Sequence, residues 1–257
     1  MKYSVAALTD IGKARKSNQD AVCVKIAKMG DETIVMALVC DGMGGLSEGE
    51  VASVSVASAL NDWFEQELPA LLQTRQMSRI TQAGNELIHR ISYRLKEYGA
   101  NRGLVLGTTI SCLVLAFGEF GLIHVGDSRI YQINRQIHCL TTDHSVVARD
   151  LAKGLITPEE AKVSPKRNKL TQCVGASRRL EPEIKYGTVT EGDIFLLCSD
   201  GLWHKISEEE MLGILSDRMM KTEEDMERKC KTVTNLVLQR GEKDNISIVL
   251  VRAEQGE

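Results

Sequence analysis

The apolar positions of the chain follow two patterns, short continuous runs and longer stretches with helical spacing. Short runs rich in β-branched and apolar residues are typical of buried strands, and they lie at residues 3–8, 21–27, 33–40, 108–117, 121–125, 129–133, 194–198 and 246–251. Helical spacing is clearest at residues 80–98, where Ile80, Leu87 and Leu95 belong to one apolar stripe. Further helices are predicted from about residue 47 to 68, ending before Pro69, and around residues 226–237.

The order of these elements predicts an α+β fold. Strands come first, two long helices follow together, and more strands come after them, which favours packed sheets with helices outside over strict βαβ alternation. With 257 residues, four prolines and no linker-like tract, the chain is predicted to be a single domain over residues 1–257. The periodicity weakens and turn residues gather between residues 145 and 171, so we expect a surface flap at about residues 145–175.

Composition and charge exclude several classes of function. The net charge is −3 and the pI is about 6.0, so the protein has no overall positive field that would attract a nucleic acid or an anionic membrane. The longest apolar run, at residues 108–117, is too short to span a bilayer. The seven cysteines show no CxxC spacing and lie mostly in apolar runs. We therefore expect a cytoplasmic protein with reduced, buried thiols and neither nucleic-acid nor membrane partners.

Three aspartates stand at the ends of predicted buried strands. Asp41 follows TIVMALVC, Asp200 follows IFLLCS, and Asp244 stands two residues before ISIVLV. If these strands are neighbours in a sheet, the carboxylates converge at one edge, where repulsion is costly unless cations lie between them. Carboxylate oxygens suit Mg²⁺ or Mn²⁺. A single Asp-Gly is more often a tight turn, but three such positions favour a metal site.

Two further segments carry chemistry with simpler alternatives. Residues 41–50, DGMGGLSEGE, contain four glycines that let the backbone approach an ion or a phosphate, without the Gly-Lys-Ser/Thr of a Walker loop. Arg15 lies in the polar segment at residues 12–20, where a guanidinium fork can bind two oxygens of a phosphate monoester. Taken alone, that segment is explained slightly better by an exposed basic turn.

Eight segments in chain order closely resemble the metal-dependent protein phosphatases of type 2C, particularly their compact bacterial members. They are GKARKSNQD at 12–20, DGMGGLSEGEVAS at 41–53, GTT at 107–109, HVGDSRIY at 124–131, LTTDHS at 140–145, NKLTQCVG at 168–175, LLCSDGLW at 196–203 and DNIS at 244–247. The resemblance implies a central β-sandwich of two mainly antiparallel sheets, flanked by helices on both outer faces. It places the metal site at one end of that sandwich.

The same resemblance implies how two Mn²⁺ or Mg²⁺ ions are bound in each chain. Asp41 would bridge the ions, the Gly42 carbonyl would complete the shell of one, and Asp200 and Asp244 would hold the other. Asp20 would act through metal-bound waters. Asp41, Asp200 and Asp244 are thus the expected catalytic residues.

The resemblance also implies the reaction and its partners. Arg15 would bind the substrate phosphate, and Asp127 would contribute to a weaker third metal position. The expected activity is hydrolysis of phosphoserine and phosphothreonine in proteins by a metal-bridged water, which reverses a protein kinase. The expected partners are phosphoproteins, substrates of a cognate serine/threonine kinase, and the expected oligomeric state is a monomer.

Three features depart from that pattern or leave it open. Met43 stands where eukaryotic relatives carry a histidine thought to protonate the leaving group, so that proton must come from elsewhere. His204 stands where many relatives have an aspartate, which weakens the expected third metal position. The flap is basic, with Lys153, Lys162, Lys166, Arg167 and Lys169. It could attract acidic phosphopeptides, or be a merely solvated surface.

Two other functions remain as alternatives. The spacing CVGASRR, from Cys173 to Arg179, matches that of cysteine-dependent phosphatases, although Pro182 follows almost at once and no histidine directly precedes Cys173. The second alternative is a non-catalytic, phosphopeptide-binding relative of the same fold. Such proteins usually lose ligand carboxylates, whereas this chain keeps them.

Overall fold

The structure, a computed structural model, describes residues 1–44, 48–216, 220 and 222–254. Within these ranges the strands are β1 (Lys2–Asp10), β2 (Asp20–Met29), β3 (Glu32–Met43), β4 (Gly107–Thr108), β5 (Ile110–Ala116), β6 (Glu119–Val125), β7 (Arg129–Ile133), β8 (Ile137–Cys139), β9 (Glu183–Thr188), β10 (Ile194–Cys198) and β11 (Ile246–Glu254). The helices are α1 (Glu48–Gln66), α2 (Leu68–Leu72), α3 (Met77–Ala100), α4 (Val146–Ala152), α5 (Pro158–Val163), α6 (Asp200–Trp203), α7 (Glu208–Leu215) and α8 (Glu223–Gln239).

The strands form two antiparallel sheets. The first sheet has the order β1-β11-β10-β7-β8, and the second has the order β2-β3-β5-β6-β9, with the short β4 paired to β3. Helices α1, α2 and α3 cover the outer face of the second sheet, while α6, α7 and α8 cover the outer face of the first. The predicted α+β sandwich with helices on both outer faces is therefore confirmed.

Burial on both faces explains the continuous apolar run in β3. Its even-numbered residues, 34–40, pack into the core beneath α1 and α3. Its odd-numbered residues, 35–39, pack into the core between the sheets. Successive side chains of a strand point to opposite faces, so a strand with two buried faces has no polar alternation. The run TIVMALVC is the consequence.

The sequence prediction located the long elements and missed the short or exposed ones. The predicted start of α1 at residue 47 lies outside the described residues, and its predicted end near Pro69 is confirmed within a few residues. Pro69 lies in the first turn of α2, where a missing amide proton is tolerated. Strand β9 escaped prediction because it lies at a sheet edge and is only partly buried. Strand β8 and helix α7 are too short for a clear period.

Two short helices, α4 and α5, form the segment at residues 145–175, which we call the flap segment. An isolated bridge between Ser145 and Leu170 closes its base. Capping residues start both helices, since the Ser145 side chain accepts from the Ala148 amide and Thr157 forms a capping box with Glu160. Neither helix buries a residue fully. Within the described ranges, no helix has the length and apolar content needed to cross a bilayer.

The core between the sheets should dominate the stability of the domain. Phe195 of β10 is fully buried and meets Phe120 of β6 edge to face, with ring centroids 5.5 Å apart. We expect Phe195→Ala to lower the free energy of unfolding by about 3–5 kcal/mol, measured by urea denaturation, since a cavity forms between the sheets. Val105→Ala is the control, because Val105 is 78% exposed. A change below about 1 kcal/mol for Phe195→Ala would contradict the inter-sheet packing.

Candidate active site

The strand-end aspartates lie at one end of the sandwich, but they come from both sheets. Strands β10 and β11 are antiparallel neighbours in the first sheet, so Asp200 after β10 lies beside Asp244 before β11. Strand β3 belongs to the second sheet. The sequence argument supposed that the three strands are neighbours in one sheet, and this supposition is wrong for β3. Asp41 reaches the other carboxylates across the gap between the sheets.

Asp20 enters the same cluster through strand register. It starts β2 and is paired directly with Asp41 of β3. Ser199 and Ser247 donate hydroxyl hydrogen bonds to Asp20 Oδ2 at 2.8 and 2.7 Å. These two donors come from the first sheet, so the Asp20 carboxylate joins the two sheets at this end.

The carboxylates perturb one another strongly. Burial raises the pKa of Asp20 to about 7, although the hydroxyls of Ser247 and Ser199 oppose the shift. Burial, followed by the charge of Asp244, raises the pKa of Asp200 to about 7. Burial and the charges of Asp20 and Asp200 raise the pKa of Asp41 well above its ordinary value. The site holds more negative charge than its surroundings neutralise.

Arg15 faces this cluster from the loop between β1 and β2. Its Nε and Nη2 atoms donate to both oxygens of Asp244, at 2.8 and 2.6 Å. The hydrogen bond to Asp244, together with the charges of Asp41 and Asp200, raises the pKa of the guanidinium. Half of the Arg15 side chain is exposed. The fork is therefore fixed beside the carboxylates and open to solvent.

Asn245 holds that loop in place. Its Nδ2 donates to the carbonyls of Ile11 and Ser17, and its Oδ1 accepts from the Gln19 amide. Gly12 has a φ of +74°, and a Cβ there would lie 2.4 Å from the Asp244 carbonyl oxygen. The loop thus packs directly on the chain segment that carries Asp244.

Glycines bring helix α1 onto the end of β3. A Cβ on Gly42 would lie 2.1 Å from the carbonyl oxygen of Gly49, in the first turn of α1. The Gly42 amide donates to the Gln19 carbonyl at 3.1 Å. The glycine-rich segment at residues 41–50 is described only at residues 41–44 and 48–50; residues 45–47 lie outside the described part. The described glycines allow a close approach between backbones.

Asp127 lies at the edge of the cluster, beside His204. Burial and the charge of Asp200 raise the pKa of Asp127 well above its ordinary value. The Trp203 indole nitrogen donates to the Asp127 carbonyl oxygen at 3.0 Å. His204 Nδ1 stands 3.6 Å from Asp200 Oδ2, and burial lowers the pKa of His204 to about 4, so the ring is neutral near pH 7.

The donor set fits hard divalent cations. Every side chain in the cluster offers carboxylate oxygens, which Mg²⁺ and Mn²⁺ prefer. Asp200 Oδ1 is buried without a hydrogen-bond partner, which is costly for a carboxylate unless a cation or another donor binds it. No three carboxylate, imidazole or thiolate side chains of residues 1–44, 48–216, 220 and 222–254 stand in a formed coordination shell. Arg15 holds both oxygens of Asp244 instead.

The cysteine-dependent alternative does not fit the geometry. The Cys173 thiol is buried, and burial raises its pKa, whereas a nucleophilic thiolate requires a lowered pKa. Arg179 is 84% exposed and forms a salt bridge with Glu181. The arginine of a phosphate-binding loop would point toward the thiol. The CVGASRR spacing is a coincidence.

The sequence prediction missed the residues that hold the aspartates. These are Ser199, Ser247 and Asn245, which bind Asp20 or the loop that carries Arg15. All three lie within three residues of Asp200 or Asp244. Small polar residues next to a buried carboxylate were the available signal, but no local pattern shows which distant group they bind.

Comparison with known proteins gives a consistent result. The family model described as protein phosphatase 2C matches residues 13–246. The protein phosphatase PhpP of Streptococcus pneumoniae is 32% identical over 250 residues, covering 96% of each chain. The serine/threonine phosphatase structure from S. agalactiae has a TM-score of 0.87 at 31% identity and covers 98% of this chain and 100% of that one.

A further solved structure carries metal. It is the catalytic domain of the serine/threonine protein phosphatase PstP in complex with two manganese ions, with a TM-score of 0.77, 27% identity and coverage of 98% of this chain and 99% of that one. The similarity to these proteins extends over nearly the whole chain, and the family model spans both halves of the carboxylate cluster. This chain belongs to the protein phosphatase 2C family.

Proposed function

We propose that this protein hydrolyses phosphoserine and phosphothreonine in proteins, using two Mn²⁺ or Mg²⁺ ions bound at the carboxylate cluster. The observation that carries the proposal is the gathering of Asp20, Asp41, Asp200 and Asp244 at one end of the sandwich, with raised pKa values for the first three. The names of the relatives, protein phosphatase and serine/threonine phosphatase, support the substrate class. The two manganese ions of the PstP complex support the number of ions.

The proposed metal ligands are Asp41, the Gly42 carbonyl, Asp200 and Asp244. Asp20 would act on the cations indirectly, through water. When bound, the cations supply Lewis acidity and lower the pKa of the attacking water. Ser199 and Ser247 fix Asp20 so that its carboxylate keeps one orientation. Asp127 is proposed as the carboxylate of a weaker third position, at which His204 contributes no negative charge.

Arg15 is proposed to bind the substrate phosphate. Its fork matches two phosphoryl oxygens, and its place beside the carboxylates puts positive charge where the phosphoryl group must lie. Met43 offers no proton to the leaving alkoxide, and neutral His204 is a poor acid near pH 7. The leaving-group proton is therefore proposed to come from solvent at the site, and direct attack by water needs no covalent phosphoenzyme.

Residues 1–257 are proposed to act as one catalytic domain that includes the flap segment. The single match of the family model across residues 13–246 supports this organisation. The cognate kinase, the monomeric state and the cytoplasmic location stay predictions of the sequence.

Replacing one proposed ligand should abolish turnover. We expect Asp200→Asn to lower kcat for a phosphothreonine peptide with Mn²⁺ by about 10²–10³-fold, since the charge that balances the cations is lost. Asp193→Asn is the matched control, because buried Asp193 precedes the other end of the same strand, β10. Equal activity of the parent and Asp200→Asn would show that the site is assigned wrongly. An inert parent would favour the non-catalytic alternative.

Shortening the guanidinium fork should weaken phosphate binding. We expect Arg15→Lys to raise KM for the phosphopeptide and the inhibition constant of inorganic phosphate by about tenfold, because an ammonium cannot make two parallel hydrogen bonds. Lys16→Ala, in the same exposed loop, is the control and should leave both constants unchanged. Unchanged constants in Arg15→Lys would place the phosphate elsewhere.

The raised pKa values predict a pH effect on the metal-free protein. The folded state holds a proton on Asp20 up to about pH 7, whereas the unfolded chain loses it near pH 4. The contribution of Asp20 is therefore present below about pH 4 and lost as the pH rises to 7. His124 and His204, with pKa values lowered to about 4, act with the opposite sign over part of this range.

The measurement is therefore the difference in the free energy of unfolding between the parent and one variant. In EDTA, the free energy of unfolding of Asp20→Asn should rise relative to the parent between pH 5 and pH 7.5. Adding Mn²⁺ at pH 7.5 should raise the melting temperature of the parent more than that of Asp20→Asn. Parallel pH profiles of the two proteins would contradict the raised pKa of Asp20.

A further inference from the structure

A deep groove lies between the flap segment and the chain that follows the active-site strand β10. Its volume is about 660 Å³. One wall comes from α4 and the residues after it, including Val147, Leu151 and Lys162. The other wall comes from α6 and the loop after it, including Trp203 and Lys205. We call this cavity the flap groove; its size is in the range of pockets that enclose a small ligand or a short peptide segment.

The walls of the flap groove combine an apolar surface with positive charge. Val147, Leu151 and Trp203 supply apolar area. Lys162, Arg167 and Lys205 supply positive charge, and none of the three takes part in the salt bridges found within the described part of the chain. Charges without a partner beside an apolar wall favour an occupant that is both apolar and acidic.

Arg129 and Asp143 also line the groove, and they form an ion pair with each other. Arg129 donates to both oxygens of Asp143 at 2.9 and 2.8 Å. Its guanidinium also lies over the Trp203 ring, 3.5 Å from the ring centroid. These contacts hold the Trp203 side chain against Arg129. The net charge available to a ligand therefore comes from Lys162, Arg167 and Lys205.

The flap groove borders the carboxylate cluster. His204 lines the groove and also stands 3.6 Å from Asp200 Oδ2. Trp203 lines the groove and donates to the Asp127 carbonyl. The residues that flank a phosphorylated side chain at the cluster are therefore within reach of the groove.

We propose that the flap groove binds the polypeptide next to the phosphorylated residue and selects segments in which a large apolar side chain is accompanied by acidic residues. This inference rests on the proposed phosphatase function, because the ligand is the flank of its substrate. The apolar side chain packs between Leu151 and Trp203. The acidic residues pair with Lys162, Arg167 and Lys205.

The test compares two phosphothreonine peptides and one small substrate. One peptide carries leucine and glutamates beside the phosphothreonine, the other carries serine and glutamines, and p-nitrophenyl phosphate has no flank to enter the groove. We expect KM of the leucine–glutamate peptide to be about tenfold lower, which corresponds to 1.4 kcal/mol. Equal KM values for the two peptides in the parent would overturn the inference.

Charge-reversal variants locate the selectivity. Lys162→Glu combined with Lys205→Glu should remove the preference between the peptides and leave p-nitrophenyl phosphate turnover unchanged. Lys162→Glu alone should weaken the preference, whereas Lys153→Glu, which makes the same single charge change in the flap segment at a residue outside the groove lining, should keep it. Equal loss in Lys153→Glu would mean that general electrostatic attraction, not the groove, selects the peptide, and would overturn the inference.

A second pair of variants tests the apolar wall. Leu151→Ser should weaken binding of the leucine-containing peptide, whereas Leu155→Ser should not, because Leu155 is 67% exposed and does not line the groove. A protein that turns over p-nitrophenyl phosphate with Mn²⁺ but ignores these substitutions refutes the groove alone. A parent inert toward p-nitrophenyl phosphate refutes the proposed function, and with it this inference.

Discussion

Repulsion among buried carboxylates is the constraint on which the active end of this protein depends. Asp20, Asp41 and Asp200 are buried and close to other carboxylates, so each has a raised pKa. An uncompensated buried charge costs several kcal/mol in a protein interior. The fold must therefore hold these groups together against their mutual repulsion, and the same repulsion is what makes the site attractive to divalent cations.

The sandwich supplies the opposing force through apolar packing and register. Strand β3 is buried on both faces, so its position is fixed by two cores. The antiparallel register then places Asp41 opposite Asp20, and the β10–β11 pair places Asp200 beside Asp244. A shift of one residue in the register of either pair would point a carboxylate into an apolar core. The hydroxyls of Ser199 and Ser247 add hydrogen bonds between the two sheets at this end.

Arg15 and His204 show how the surroundings of the cluster differ on its two sides. On one side, Arg15 neutralises Asp244 through two hydrogen bonds, so the same guanidinium is a partner for a carboxylate and a candidate partner for a phosphate. On the other side, His204 is neutral and Trp203 is held by Arg129. Beyond them, the flap groove is lined by Lys162, Arg167 and Lys205, which have no carboxylate partner among the described residues.

The sequence by itself determined the long strands and helices, the α+β class and the identity of the aspartates, because apolar periodicity and residue type are local properties. It also predicted that Asp200 follows and Asp244 precedes a buried strand, which the structure shows, whereas Asp41 lies within the last three residues of β3. Tertiary structure alone decided that β3 lies in the sheet opposite β10 and β11, and that Asn245 holds the Arg15 loop. Those facts depend on contacts between residues up to about 230 positions apart, and no local pattern encodes such pairings.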